Sequence, residues 1–146
     1  MMDKKIQKTI EQYSGLCDWL SYNRPDFLEI KPSEYNRKDN RQTELYMRLF
    51  NMGRPGIQAL YELLDRGTPA TKMMTALYLI ARFTDKCLAT LESLKHIPNP
   101  DNNRGIAYVI WAADHWIKGW HQYGYGLYDI DPLWEKYKDE DFSDFE

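Results

Sequence analysis

The sequence predicts an all-α fold, a short α-α superhelix of stacked helical hairpins that ends in an irregular, aromatic and acidic C-terminal segment. Three observations predict it. First, a helical pattern recurs at an offset of 31 residues. Ala59-Leu60 and Leu63 are answered by Thr90-Leu91 and Leu94, and Ala76-Leu77-Tyr78-Leu79-Ile80 by Ala107-Tyr108-Val109-Ile110-Trp111. A helix pair repeated in this way cannot bury its apolar face alone and must stack on its neighbour. Second, no segment sustains the strict apolar–polar alternation of a half-buried strand. Third, the connections between helical segments are mostly short, which makes successive helices antiparallel neighbours. The repeat-like hairpins span about residues 54–119, and the acidic extension about 120–146.

The elements follow in order. Residues 3–21 read as an opening helix, with Ile6, Ile10, Tyr13, Leu16/Cys17 and Leu20 at three–four spacing. Asn23-Arg24-Pro25 ends it, because the residue before a proline avoids the helical region. After a connector from Asp26 to Pro32, Ser33 or Asn36 is the expected cap of a second helix reaching Asn51, with Tyr35, Leu45, Leu49 and Met52 on one face. Its polar first half leaves the start open between Ser33 and Asn40. Met52-Gly53-Arg54-Pro55-Gly56 is a break that opens a third helix over Pro55–Asp65. Gly67 stands where a left-handed residue is wanted after that helix. Thr68-Pro69, a cap followed by proline at the first helical position, starts the fourth. That helix carries Met73, Met74, Leu77, Ile80 and Ala81, is apolar almost all round, and is expected between neighbours. Thr84 or Asp85 begins the fifth helix, which His96-Ile97-Pro98-Asn99-Pro100 terminates. Asp101 or Asn102 is the expected cap of the sixth, which runs to Lys118 and ends at Gly119. Gly124 and Gly126 then interrupt regular structure, and Asp131-Pro132 opens a last short helix through Trp134 and Tyr137.

At 146 residues the chain is expected to form one domain, residues 1–146, large enough to bury a sizeable core. Aromatic residues make up 14%, including 11 Tyr and 5 Trp, which supplies the material for that core. Cys17 and Cys87 sit in apolar helical contexts without a CxxC partner, and free buried thiols are the expected state. Met1-Met2-Asp3-Lys4-Lys5 precedes no apolar signal core, and the longest uncharged apolar run, Met73–Ala81, is too short to cross a bilayer. No membrane association and a cytoplasmic location are therefore expected.

The net charge of −3 is unevenly placed. Asp129, Asp131, Glu135, Asp139, Glu140, Asp141, Asp144 and Glu146 face only Lys136 and Lys138, a local net of −6, so the remaining 128 residues carry +3. Such an end repels a phosphate backbone and attracts a basic protein. Tyr123, Tyr125, Tyr128, Trp134, Tyr137, Phe142 and Phe145 are interleaved with these acids, and interface anchors are enriched in Tyr and Trp. The expected partner-binding residues are therefore Tyr123, Tyr125, Tyr128, Asp129, Asp131, Trp134, Glu135, Asp139, Glu140 and Asp141. A second candidate surface is the solvent face of the sixth helix, with Asp114, His115 and Lys118.

No phosphate-binding glycine loop, HExxH, paired CxxC or nucleophile elbow is present. Asp114-His115 is not expected to act as an acid–base pair, because adjacent helical residues point about 100° apart. His115 and His121 are not expected to share a metal, and His96 reads as a cation at a helix C-terminus. Arg37-Lys38-Asp39-Asn40-Arg41, with Arg48 and Arg54, forms a basic stretch that Glu34, Asp39 and Glu44 dilute to +3 over Lys31–Arg54. That is thin for a nucleic-acid footprint, and an ordinary solvated helix face is expected. Neither a catalytic residue nor a cofactor is expected.

From about Asn36 to Lys118 the chain resembles a family of small bacterial α-helical proteins with a HEAT/armadillo-like superhelix. The residues that carry the likeness are Arg54-Pro55-Gly56-Ile57-Gln58-Ala59-Leu60, the Pro69–Ala81 helix with its Ala76, and Ala107-Tyr108-Val109-Ile110-Trp111-Ala112-Ala113-Asp114-His115-Trp116-Ile117-Lys118-Gly119. The family usually has an arginine near the start of its middle helix, where this chain has Lys72-Met73-Met74. Members of that family, whose function is unknown, are often encoded beside polymorphic toxins and contact-dependent inhibition systems. The resemblance thus implies an immunity protein, not an enzyme: an inhibitor that binds one toxin domain and occludes its active site. A nuclease with a basic cleft is the expected toxin, since many such toxins are nucleases, and a monomer is the favoured state, which the sequence does not fix. The resemblance supplies no binding residues. A HEAT-like adaptor with an unrelated protein partner is the alternative, and an RNA-binding or small catalytic domain using the Arg37–Arg54 face is the third.

Overall fold

Six α-helices and no strand occur among the described residues, so the chain is all-α. The computed structural model describes residues 3–24, 30–124 and 134–145. The helices are α1 (Lys4–Tyr22), α2 (Pro32–Phe50), α3 (Arg54–Arg66), α4 (Pro69–Leu79), α5 (Thr84–Leu94) and α6 (Arg104–Tyr123), followed by single 3-10 turns at Glu135–Tyr137 and Ser143–Phe145.

Local chemistry sets the boundaries. The Asp3 carboxylate accepts the amides of Lys5 and Ile6 at 2.7 and 3.3 Å and starts α1. Pro32 at the first turn opens α2, with Lys31 in the capping position and no side-chain cap. Between α2 and α3 the chain needs glycine twice. Gly53 sits at φ 77°, and a Cβ on Gly56 would fall 1.9 Å from the Leu49 carbonyl oxygen, so the two helices can cross closely only there. Thr68 caps α4 as expected, accepting the Thr71 amide.

Several boundaries differ from the sequence expectation. Helix α2 starts at Pro32, ahead of the expected Ser33–Asn40 window, because proline at the first turn opens it with neither Ser33 nor Asn36 as its cap. Gly67 is extended (φ −71°, ψ 166°) rather than left-handed; α3 passes straight into the Thr68 cap of α4, which demands an extended entry. Asn103 rather than Asp101 or Asn102 caps α6, and α6 continues through Gly119 to Tyr123, where Gly124 at φ 74° closes it. A helical glycine costs about 1 kcal/mol relative to alanine. Trp116, Ile117 and Trp120 pack against the core on both sides of Gly119 and hold the helix through it.

The hairpins α3–α4 and α5–α6 stack, and α4 lies at the centre, in contact with α1, α3, α5 and α6. Ala76, Leu77, Tyr78, Leu79 and Ile80 are each buried, as an all-round apolar helix requires. The N-terminal helix α1 packs on α2, α4 and α6, so it closes the stack against its last helix. Most polar groups in this core are paired, the exceptions among the described residues being the buried Tyr46 hydroxyl and Trp134 indole N–H, which have no hydrogen-bond partner. Tyr13 meets the Thr75 hydroxyl at 3.0 Å, Tyr78 donates to Gln42 Oε1 at 2.9 Å, and the Gln42 amide reaches Cys17 Sγ at 3.7 Å. The Tyr46 ring stacks on Tyr78 with centroids 3.8 Å apart. Cys17 and Cys87 are free and buried; burial pushes the Cys17 thiol up to about 12 and raises that of Cys87 as well.

Candidate protein-docking surfaces

The acidic, aromatic end of the chain folds inward. Trp134, Tyr137 and Phe142 are buried, which corrects the expectation that Trp134 stands out as a partner anchor. Three rings from earlier in the chain form the shelf that receives them. Phe50, at the end of α2, meets Trp134 and Tyr137 edge-on at 4.9 and 5.0 Å. Phe83, before α5, meets Phe142 at 5.8 Å, and Tyr61 of α3 meets Phe145 at 5.5 Å. The Tyr137 hydroxyl donates to the Phe50 carbonyl at 2.5 Å and ties the shelf to its cover.

Two arginines stitch the outside of this cover. Arg54 donates to the Asp141 carbonyl at 2.8 Å, pairs with Asp144, stands 3.8 Å from Glu140 and lies 4.8 Å over the Phe145 ring. Arg82 donates to the carbonyls of Tyr137 and Glu140 and lies 5.0 Å over Phe142. The hydrogen bond from Arg54 holds the Asp144 carboxyl below the usual carboxylate range. The Asp141 carboxyl is lowered chiefly by its hydrogen bond from the Ser143 amide, 2.9 Å away.

Glu135, Asp139, Glu140 and Asp141 remain exposed as expected, with Glu135 paired to Lys138 at 2.9 Å. With Arg54 and Arg82 set among them, the acids of residues 134–145 lose most of the net charge that the bare segment carries. Tyr125, Tyr128, Asp129 and Asp131 lie outside the described residues. Tyr123 closes α6 and is 60% exposed.

Helix α6 turns the other way. Gly105, Val109, Ala112 and Ala113 face α1, α4 and α5, while Ala107, Trp111, His115, Lys118 and Gln122 follow one another along its solvent side. Trp111 is 59% exposed. Its ring stacks on His115 at 5.1 Å with the planes 12° apart, and His115 meets Trp116 edge-on at 4.9 Å. Asp114 accepts from Lys118 at 2.8 Å and stands 3.5 Å from Lys95 of α5. The hydrogen bond from Lys118 is the first cause of its lowered pKa. Asp114 and His115 therefore serve different neighbours, a lysine pair and a tryptophan, and do not form an acid–base pair. His115 and His121 share one helix, contrary to the expected break at Gly119, and sit on different faces of it.

The structure thus brings Asp114, His115 and Lys118 together around an exposed tryptophan that sequence reasoning missed. The repeat had aligned Trp111 with Ile80, which is only 1% exposed, and so implied a core position. The available signal was the helical wheel, which sets Trp111 beside Ala107, Asp114 and Lys118 and opposite Val109 and Ala113.

The basic stretch of α2 lines an open groove of about 610 Å³ with Arg37, Lys38 and Arg41, but Glu44 lies within it and pairs with Arg41 at 2.9 Å. No three His, Cys, Asp or Glu side chains converge on a point among the described residues, and no helix is long and apolar enough to cross a membrane. No family model, no curated protein and no solved structure matches the chain.

Proposed function

We propose that the chain is a protein-binding module whose partner seats on the outer face of α6. Following the resemblance set out above, we propose that this partner is a toxin domain held inactive in the manner of an immunity protein. The observation that carries the reading is Trp111: a large ring, mostly exposed, braced by His115 and bordered by the fixed charges Asp114 and Lys118. A pre-stacked ring has little freedom left to lose on docking, and Trp is the residue most often found at energetic centres of interfaces. The exposed acids Glu135, Asp139, Glu140 and Asp141, partly offset by Arg54 and Arg82, leave a weak acidic field that favours encounter with a basic partner without contributing much affinity.

The test is growth rescue. The C-terminal region of the protein encoded immediately upstream is expressed in a sensitive cell, with and without this chain. Rescue and co-purification are expected, and Trp111→Ala is expected to weaken the complex by at least about tenfold while leaving the chain folded. A harmless upstream product sinks the immunity reading. A partner other than a toxin on the same face would instead support the adaptor reading.

A further inference from the structure

Beside the exposed His115 and Gln122, the outward side of α6 carries the line Ala107, Trp111, the half-buried Asp114, Lys118 and His121, opposite the buried Val109, Ala112 and Ala113. Along it an acid precedes a base by one turn, with an aromatic residue outside each. That order is self-complementary. An antiparallel copy reads the line backwards, so a two-fold axis at residue 116 sets each Asp114 opposite the other copy's Lys118. The same axis sets each Trp111 opposite the other copy's His121. A parallel copy would set like charges together.

We infer that the free chain pairs with a second copy through this face, as an antiparallel two-fold dimer of α6 helices. On the reading proposed above, a cognate partner displaces this dimer; the pairing itself rests only on Trp111 and on the order of the charges. Two features of the face fit it. Trp111 leaves an apolar ring in water that a second copy would cover. Asp114 also has Lys95 behind it at 3.5 Å, so Lys118 can turn across the axis without leaving the carboxylate unpaired. A single pair of helices is a small interface of the weak, transient kind, and a dissociation constant of about 10–100 µM is expected.

Sedimentation over about 5–500 µM brackets that range, and a concentration-dependent monomer–dimer equilibrium is expected. Trp111→Ala should weaken it at least about tenfold. Asp114→Lys and Lys118→Asp should each weaken it by about as much, because like charges then meet twice across the axis. Mixing those two variants one to one should restore the dimer, since each then faces the opposite charge. A defect confined to the folding of α6 would not be repaired by mixing. A monomer across the whole range, or a mixture that stays monomeric, overturns the inference. If a monomeric chain still rescues growth, the dimer alone is lost; a dimer that fails to rescue overturns only the immunity reading.

Discussion

The C-terminal segment and α6 are both rich in rings and charges, yet they dispose of them in opposite ways. In the segment Trp134, Tyr137 and Phe142 are buried, and two of the surrounding acids, Glu140 and Asp144, pair with Arg54. On α6 the ring of Trp111 stands in solvent, with paired charges beside it. The difference lies in the receiving surface. Phe50, Tyr61 and Phe83 form an apolar shelf at one end of the helices, and burying a ring there recovers hydrophobic free energy within the chain. Trp111 faces away from α1, α4 and α5, and among the described residues the rings it lies against are its helix neighbours Tyr108 and His115. Aromatic content thus marks both core and interface, and the shelf decides which.

The comparison breaks most sharply on two tryptophans. Trp134→Ala should destabilise the fold by about 3–5 kcal/mol, as large-to-small changes in cores do. Trp111→Ala should move stability by no more than about 0.5 kcal/mol, as a surface change does. Chemical denaturation measures both, and equal losses would end the distinction. Tyr137→Phe keeps the ring but strands the Phe50 carbonyl, and should cost about 1 kcal/mol in the same experiment.

A smaller effect lies in pH. Asp141 and Asp144 have depressed folded-state pKa values, from Ser143 and Arg54 respectively. A depressed carboxyl contributes stability that is present above its unfolded value, near 3.9, and is lost as pH falls through the folded value. The denaturation midpoint should therefore drop through the acid range in the native chain, and less steeply in Arg54→Ala. Identical slopes would show that Arg54 does not hold the segment. Both charges are solvent-screened, so this should remain a modest change.

Most of the fold was legible in the sequence because periodicity, proline and threonine act locally. Thr68-Pro69 opened α4, and the break at Gly53–Gly56 separated α2 from α3. What was not legible depended on distant residues. Gly119 carries a helix-breaking tendency, yet packing around Trp116 and Trp120 overrides it. Trp134 sits among acids and reads as an anchor until Phe50, more than eighty positions earlier, is placed against it. Of the candidate site, Asp114, His115 and Lys118 were found because their spacing puts them on one side of a helix. Trp111 was lost because a repeat alignment transfers burial from an inner helix to an outer one, where no helix among the described residues covers one flank.

The smallest expected effect separates steering from structure in the acidic segment. Glu140 and Asp141 contact Arg54 or Ser143, so changing them disturbs the cover as well as the field. Asp139 is exposed and makes no ion pair among the described residues. Asp139→Lys therefore alters charge with little structural consequence. Against a basic partner it should slow association about two- to threefold at low salt, leave dissociation unchanged, and lose its effect as salt is raised. An unchanged association rate at low salt would remove the acidic field from the mechanism and leave the face of α6 to account for binding alone.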